Sequence, residues 1–107
     1  MSEKVKAITD VLDKHLAEDI VVIDFGKAGV ICDCFVICTA RNDRHSESLV
    51  DFLKKELKDL DIYHLDDGDL SWQIVDYNDV MVHIFLEDIR DKYNLEKLWS
   101  EYPIVSL

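Results

Sequence analysis

The sequence lacks a long apolar run. None of its 107 residues belongs to a stretch approaching the roughly 20 consecutive apolar residues that a membrane-spanning helix needs. The opening segment, MSEKVKAITD, is charged from the start and contains no apolar segment of the kind found in secretion signals. We therefore expect a cytoplasmic protein that is neither exported nor embedded in a membrane.

Basic residues are also scarce. Lysine and arginine number 12 against 23 aspartates and glutamates, which gives a formal net charge of −11. Such a surface repels phosphate backbones, which argues against direct nucleic-acid binding as the main activity. It attracts a basic protein partner and accelerates the encounter with it. The same charge also keeps a small protein soluble, and composition does not separate these two interpretations.

The sequence contains neither of the common phosphate-binding motifs, GxxxxGKS/T and GxGxxG. Aspartates do lie near the ends of predicted strands, at Asp24, Asp33 and Asp76. Paired carboxylates in such positions hold magnesium in many transferases. A metal-dependent nucleotidyl or phosphoryl transferase that uses these three aspartates is therefore an alternative that the residues leave open.

Cysteine occurs only three times, as Cys32, Cys34 and Cys38. An odd number without an export signal indicates reduced thiols rather than disulfides. The equal parity of the three positions would place them on one face of a regular strand. There they would be too widely spread for the four converging ligands that zinc requires. We predict small core side chains, no metal site and no cofactor.

Hydrophobic residues make up 49% of the chain, enough for one α/β domain over residues 1–107. Helical spacing predicts an amphipathic helix from Ser2 to Leu16, capped by Ser2, and a second from Asn42 or Asp43 to about Leu60. The predicted strands are 19–25, 30–40, 62–65, 71–76 and 80–86, and a last helical segment over 87–99 is expected to break near Asn94.

The order of these elements predicts a mixed five-stranded sheet flanked by helices. The long helix between the second and third strands predicts that those two strands are parallel, whereas tight turns predict antiparallel pairs. The residues after Pro103 are predicted to form a tail without regular structure.

Aromatic residues are prominent between Trp72 and Trp99. His83 lies within the strand VMVHIFL, and a lone histidine in such a strand is more often structural than catalytic. Trp99 is expected in the core. For Trp72, which follows the acidic loop 66–69, a core position and an interface position remain equally open.

Two segments together resemble the Iojap family, the ribosomal silencing factors. The first is DCFVICTA at 33–40, where the family usually has tyrosine in place of Cys34. The second runs from Trp72 through DYND at 76–79 and VHIF at 82–85 to Arg90 and YNLEKLW at 93–99. The resemblance covers the chain from about residue 20 to 99, and its specificity lies in the order and spacing of the elements.

This resemblance implies an α/β fold similar to nucleotidyltransferases but without their active site, and therefore no catalysis. It implies binding to the large ribosomal subunit through large-subunit ribosomal protein fourteen, which blocks joining of the small subunit and represses translation when nutrients are short. Organellar relatives assist assembly of the large subunit, and some members form homodimers.

The hairpin and the helix that follows it supply the candidate partner-binding residues. These are Trp72, Asp76, Tyr77, Asp79, His83, Glu87 and Arg90. Within the fold, Arg90 has Asp76 and Glu87 as candidate ion-pair partners. Replacing Trp72 or Tyr77 by alanine is expected to weaken ribosome binding while thermal stability stays close to that of the wild type.

Overall fold

The computed structural model describes residues 2–26 and 31–107, and within these ranges a six-stranded mixed sheet carries helices on both faces. The elements are α1 (Glu3–Lys14), β1 (Glu18–Asp24), β2 (Cys34–Ala40), α2 (Asp43–Glu56), β3 (His64–Asp66), β4 (Trp72–Asp76), β5 (Val80–Leu86), α3 (Glu87–Tyr93), α4 (Leu95–Leu98) and β6 (Ile104–Ser106). No helix in these ranges is both long enough and apolar enough to cross a membrane.

Both long helices begin at the predicted caps. The Ser2 hydroxyl accepts a hydrogen bond from the Val5 N–H at 3.2 Å, and the Asn42 side chain accepts one from the His45 N–H at 2.8 Å. Such bonds satisfy backbone donors that have no partner within the helix. Helix α2 ends at Glu56 rather than near residue 60.

The strands lie in the order β3-β4-β5-β2-β1-β6. The central pair, β2 and β5, is parallel, and the other neighbours are antiparallel. The mixed sheet flanked by helices is thus confirmed. Strands β2 and β3 run in the same direction, as predicted, because two antiparallel steps separate β3 from β5. They are not neighbours, since β2 pairs with β5. The reason is that β3 is only three residues long and joins the sheet through β4, so the long apolar strand β5 takes the central position.

The described chain has six strands where five were predicted, because the tail after Pro103 forms β6. Its register pairs Val105 with Val22 on β1. The Pro103 carbonyl accepts from the Asp24 N–H at 3.0 Å, and the Leu107 N–H donates to the Ile20 carbonyl at 2.9 Å. Proline is tolerated at the start of an edge strand because only the carbonyl needs a partner there.

Alternate strand residues point to opposite faces of the sheet and build two cores. On the first, the α1–α2 face, residues such as Val36 and Ile84 pack beneath the two long helices. On the second, the aromatic face, Phe35 and Phe85 pack with α3, α4 and the residues that follow them. Trp99 is half-buried on this second face, and its ring centroid lies 5.2 Å from that of Phe25.

The cysteines do not share one face. Cys34 and Cys38 lie on the α1–α2 face, whereas Cys32 lies in the aromatic core because it precedes the regular strand. Predicted strand residue 30 falls outside the described ranges. Burial raises the pKa of the Cys38 thiol to about 12 and that of Cys32 to about 11, so both remain protonated.

Candidate partner-binding surface

The acidic loop holds the start of β4 in a defined turn. The Asp69 carboxylate accepts hydrogen bonds from the Ser71 hydroxyl at 2.6 Å and the Ser71 N–H at 2.9 Å. These bonds lower the pKa of Asp69, with the hydroxyl contributing most. The Trp72 N–H donates to the Asp69 carbonyl at 3.1 Å. The turn therefore fixes the backbone from which the Trp72 side chain projects onto the aromatic face.

The indole of Trp72 is oriented by its neighbours. Its Nε1–H donates to Nδ1 of His83 at 3.1 Å. Its ring centroid lies 4.9 Å from that of Phe85 and 4.7 Å from that of Tyr93. The ring is half-buried, and Tyr93 is 49% exposed. Such a ring presents a rigid, partly apolar area to a partner at little cost in conformational entropy.

Further apolar side chains extend this area along the aromatic face. Ile74 and Met81 are both half-buried there, with Ile74 opposite His83 and Met81 opposite Asp76 in the β4–β5 register. We call Trp72, Ile74, Met81 and Tyr93 together the Trp72 surface. The prediction missed Ile74, Met81 and Tyr93. The strand alternation that places Ile74 beside Trp72 was readable in the sequence, whereas the approach of Tyr93 depends on how α3 packs.

Carboxylates border the Trp72 surface. Strand β3 pairs with β4 so that Asp66 lies opposite Ile74 and His64 lies opposite Asp76. Asp66 is exposed, and Asp76 is partly exposed while its carboxylate accepts from the Asn78 N–H at 2.7 Å in the hairpin turn. An apolar centre with an acidic rim suits a partner that offers an apolar side chain surrounded by basic groups.

His83 lies beneath the Trp72 surface and not within it. The ring is only 3% exposed, and burial lowers its pKa to about 4, so it is neutral near pH 7. Because Nδ1 accepts from Trp72, the ring proton resides on Nε2, which has no partner among the described residues. His83 therefore positions Trp72 from within the core.

Tyr77 and Asp79 lie on the opposite side of the sheet from Trp72. Tyr77 is 1% exposed in the α1–α2 core, so its predicted placement on the contact surface is wrong, and its removal is now expected to cost stability. The Lys4 ammonium donates to the Tyr77 carbonyl at 3.1 Å and to the Asp79 carboxylate at 2.6 Å. The bond from Lys4 lowers the pKa of the partly exposed Asp79. Odd positions along β4 share the α1–α2 face, so alternation predicts this placement of Tyr77.

Arg90 is buried at 8% exposure and ties three elements together. Its guanidinium donates to the Thr39 hydroxyl at 2.8 Å and to the Glu96 carboxylate at 3.3 Å. The expected pairing with Asp76 or Glu87 is wrong, because α3 directs the side chain back over β2. Glu87 is exposed in the first turn of α3.

The structure does not bring Asp24, Asp33 and Asp76 together. Asp24 and Asp33 line a cavity of about 440 Å³ that also touches Asp79, whereas Asp76 is absent from its lining and caps the hairpin turn. Within residues 2–26 and 31–107, no group of three histidine, cysteine, aspartate or glutamate side chains could hold a metal ion. No observation favours the transferase alternative.

Comparison with known proteins assigns the family. The family model described as "Ribosomal silencing factor during starvation" matches residues 1–107. The ribosomal silencing factor of Halalkalibacterium halodurans is 32% identical, over 98% of this chain and 92% of its own length. That of Bacillus subtilis is 33% identical, over 89% of this chain and 83% of its own length. A crystal structure of a Chromobacterium violaceum protein matches with a TM-score of 0.84 at 27% identity, over 94% of this chain and 88% of that one. The chain therefore belongs to the ribosomal silencing factor family.

Proposed function

We propose that this protein binds the large ribosomal subunit through large-subunit ribosomal protein fourteen and sterically blocks joining of the small subunit. It thereby represses translation in the cytoplasm when nutrients are limited, and it catalyses no reaction. The match of the family model to residues 1–107 is the observation that carries this proposal. The relatives named as ribosomal silencing factors support it.

The Trp72 surface supplies the contact in this proposal. An aromatic centre bordered by Asp66 and Asp76 complements a basic ribosomal protein. Of the predicted contact residues on the aromatic face, Trp72, Asp76 and Glu87 reach solvent. His83 and Arg90 are buried and act by holding Trp72 and α3 in place.

The test is sedimentation of the purified protein with separated ribosomal subunits on a sucrose gradient. We expect the protein to travel with the large subunit and to reduce the joined ribosomes that form when small subunits are added. Trp72→Ala is expected to weaken this association about tenfold or more, as removal of an aromatic interface anchor does. Trp72→Phe, which keeps an aromatic ring but loses the indole N–H, should retain most of it.

A matched control distinguishes this surface from acidity in general. Asp51→Asn removes an exposed carboxylate from α2, on the other face of the sheet. This variant should co-sediment as the wild type does, whereas Asp76→Asn should bind less tightly. Wild-type protein that remains at the top of the gradient would overturn the proposed function. Equal binding by Trp72→Ala would overturn the assignment of the surface.

A further inference from the structure

Strand β6 has an open hydrogen-bonding edge. Within the described ranges β1 is its only neighbour. Bonds to β1 use the backbone of residues 103 and 107, and Val105 pairs with Val22 between them. Because antiparallel ladders alternate, the N–H and C=O groups of Ile104 and Ser106 point away from β1. An extended chain can pair with these groups and add a seventh strand.

The side chains of β6 leave this edge accessible. All three residues are exposed, with Ile104 at 38% and Val105 at 44%. Proteins commonly protect an edge strand with lysine, proline or a covering element. The sequence IVS of β6 itself carries no charge. Among the described residues, the edge is therefore protected by its short length and by the charges that surround it.

A cavity of about 330 Å³ adjoins this edge on the aromatic face. Ser106 and Leu107 line it together with Asp19, Glu87, Asp91 and Glu96. Arg90 also lines it but is engaged by Thr39 and Glu96. In residues 2–26 and 31–107, no lysine or arginine lies within ion-pair distance of Asp19, Glu87 or Asp91. These three carboxylates therefore place negative charge beside the open strand edge, and no lysine or arginine of the described residues pairs with them.

The opposite side of β6 is bordered less strongly by acid. A cavity of about 300 Å³ there is lined by Leu107, Asp10 and Asp13 together with Lys6, which pairs with Asp10 at 3.0 Å. Successive side chains of an added strand alternate between the two faces. One set would therefore enter the strongly acidic cavity, and the other would rest on the more apolar and balanced side.

We propose that β6 is a docking strand for an extended segment of a partner protein that alternates basic and apolar residues. The segment pairs with the backbone of Ile104 and Ser106, and its lysine or arginine side chains enter the cavity beside Asp19 and Asp91. This contact is separate from the Trp72 surface, because β6 and β4 lie four strand spacings, or roughly 19 Å, apart. It does not rest on the proposed ribosomal role.

Charge favours this occupant over two others. A second copy of the chain would bring a net charge of −11 and the same carboxylates to the edge, and the like charges would repel each other. A nucleic acid would bring phosphates against carboxylates that have no cationic partner among the described residues. A basic extended segment would pair both with the open backbone groups and with these carboxylates.

The test uses a fluorescent peptide of about eight residues that alternates lysine and valine, titrated into the full chain. Anisotropy should show saturable binding, and amide NMR should show slowed hydrogen exchange at Ile104 and Ser106. Ser106→Pro removes an outward N–H without breaking a bond to β1, and it should weaken binding about tenfold while Ser106→Ala does not. A glutamate–valine peptide should not bind.

Charge variants test the cavity. Asp19→Asn with Asp91→Asn should weaken peptide binding about tenfold, and asparagine tolerates the positive φ of residue 19. Glu47→Gln with Asp51→Asn removes the same charge from exposed positions on α2 and should have little effect. Three results would overturn the proposal: no saturation by about 1 mM, equal losses from both pairs of substitutions, or protection of the edge by self-association without peptide.

Discussion

The two faces of the sheet are covered unequally. The α1–α2 face lies beneath helices of 12 and 14 residues, and its central side chains are fully buried. The aromatic face lies beneath α3 and α4, of 7 and 4 residues, which leave Trp72 and Met81 only half-buried. We therefore expect the α1–α2 face to supply most of the stability, whereas the aromatic face retains surface for a partner.

Replacing Tyr77, which packs in the core of the α1–α2 face, is expected to have the largest effect on stability. Tyr77→Ala removes a fully buried ring, which should lower the free energy of unfolding by about 3–5 kcal/mol in urea denaturation. Tyr77→Phe is the control. The buried Tyr77 hydroxyl has no partner among the described residues, so its loss should be neutral or stabilising. Equal losses in both variants would contradict this account.

Acid is expected to weaken the aromatic face through His83. Its folded pKa of about 4 lies below the ordinary value of 6.5, so the unfolded chain binds the extra proton first. The contribution of neutral His83 to the free energy of unfolding is intact above pH 6.5. It is lost as pH falls toward 4, by at most about 3 kcal/mol. His83→Gln should flatten this part of the stability profile measured by denaturant unfolding. An unchanged profile in the variant would show that other groups cause the loss.

Truncating Trp72 should separate the functions of the two faces. Because the ring is half-buried, we expect Trp72→Ala to lower stability by about 1–2 kcal/mol while ribosomal co-sedimentation falls about tenfold or more. Thermal melts of the purified variant check the first effect and gradients check the second. A melt that collapses as in Tyr77→Ala would place Trp72 among the core residues.

The ion pair between α1 and the hairpin turn should give the smallest effect. Lys4 and Asp79 are 27% and 46% exposed, so Lys4→Met should cost less than about 1 kcal/mol. The lowered pKa of Asp79 makes this contribution present at neutral pH and lost as pH falls below the ordinary carboxyl range. Added salt should reduce the difference between variant and wild type in urea unfolding, and a salt-independent difference would indicate packing instead.

Local signals in the sequence identified most of the fold. Ser2 and Asn42 cap the two long helices as predicted, and the break at Asn94 occurs where the residue has a φ of 44° and caps α4. Strand β6 was missed because a three-residue strand has too little alternation to recognise. Its formation depends on pairing with β1, about 80 residues earlier in the chain.

The candidate surface was predicted less completely. Trp72 was identified from its position next to an acidic loop, and the structure leaves it partly exposed. The placement of Arg90 against Thr39 and Glu96 depends on the packing of α3 over the sheet, which no local pattern encodes. Tyr77 was misplaced although strand alternation, applied from Trp72 onward, assigns it to the other face.

The parallel pairing of β2 with β5 also fixes an order of events during synthesis. Cys34 pairs with Val80 and Ala40 with Leu86, so each partner is made 46 positions later. At common elongation speeds, one edge of β2 therefore remains unpaired for roughly 2–9 s until β5 has been synthesised. During that interval α1, β1 and α2 can assemble around β2, but its open edge is the part of the nascent chain most exposed to wrong pairing.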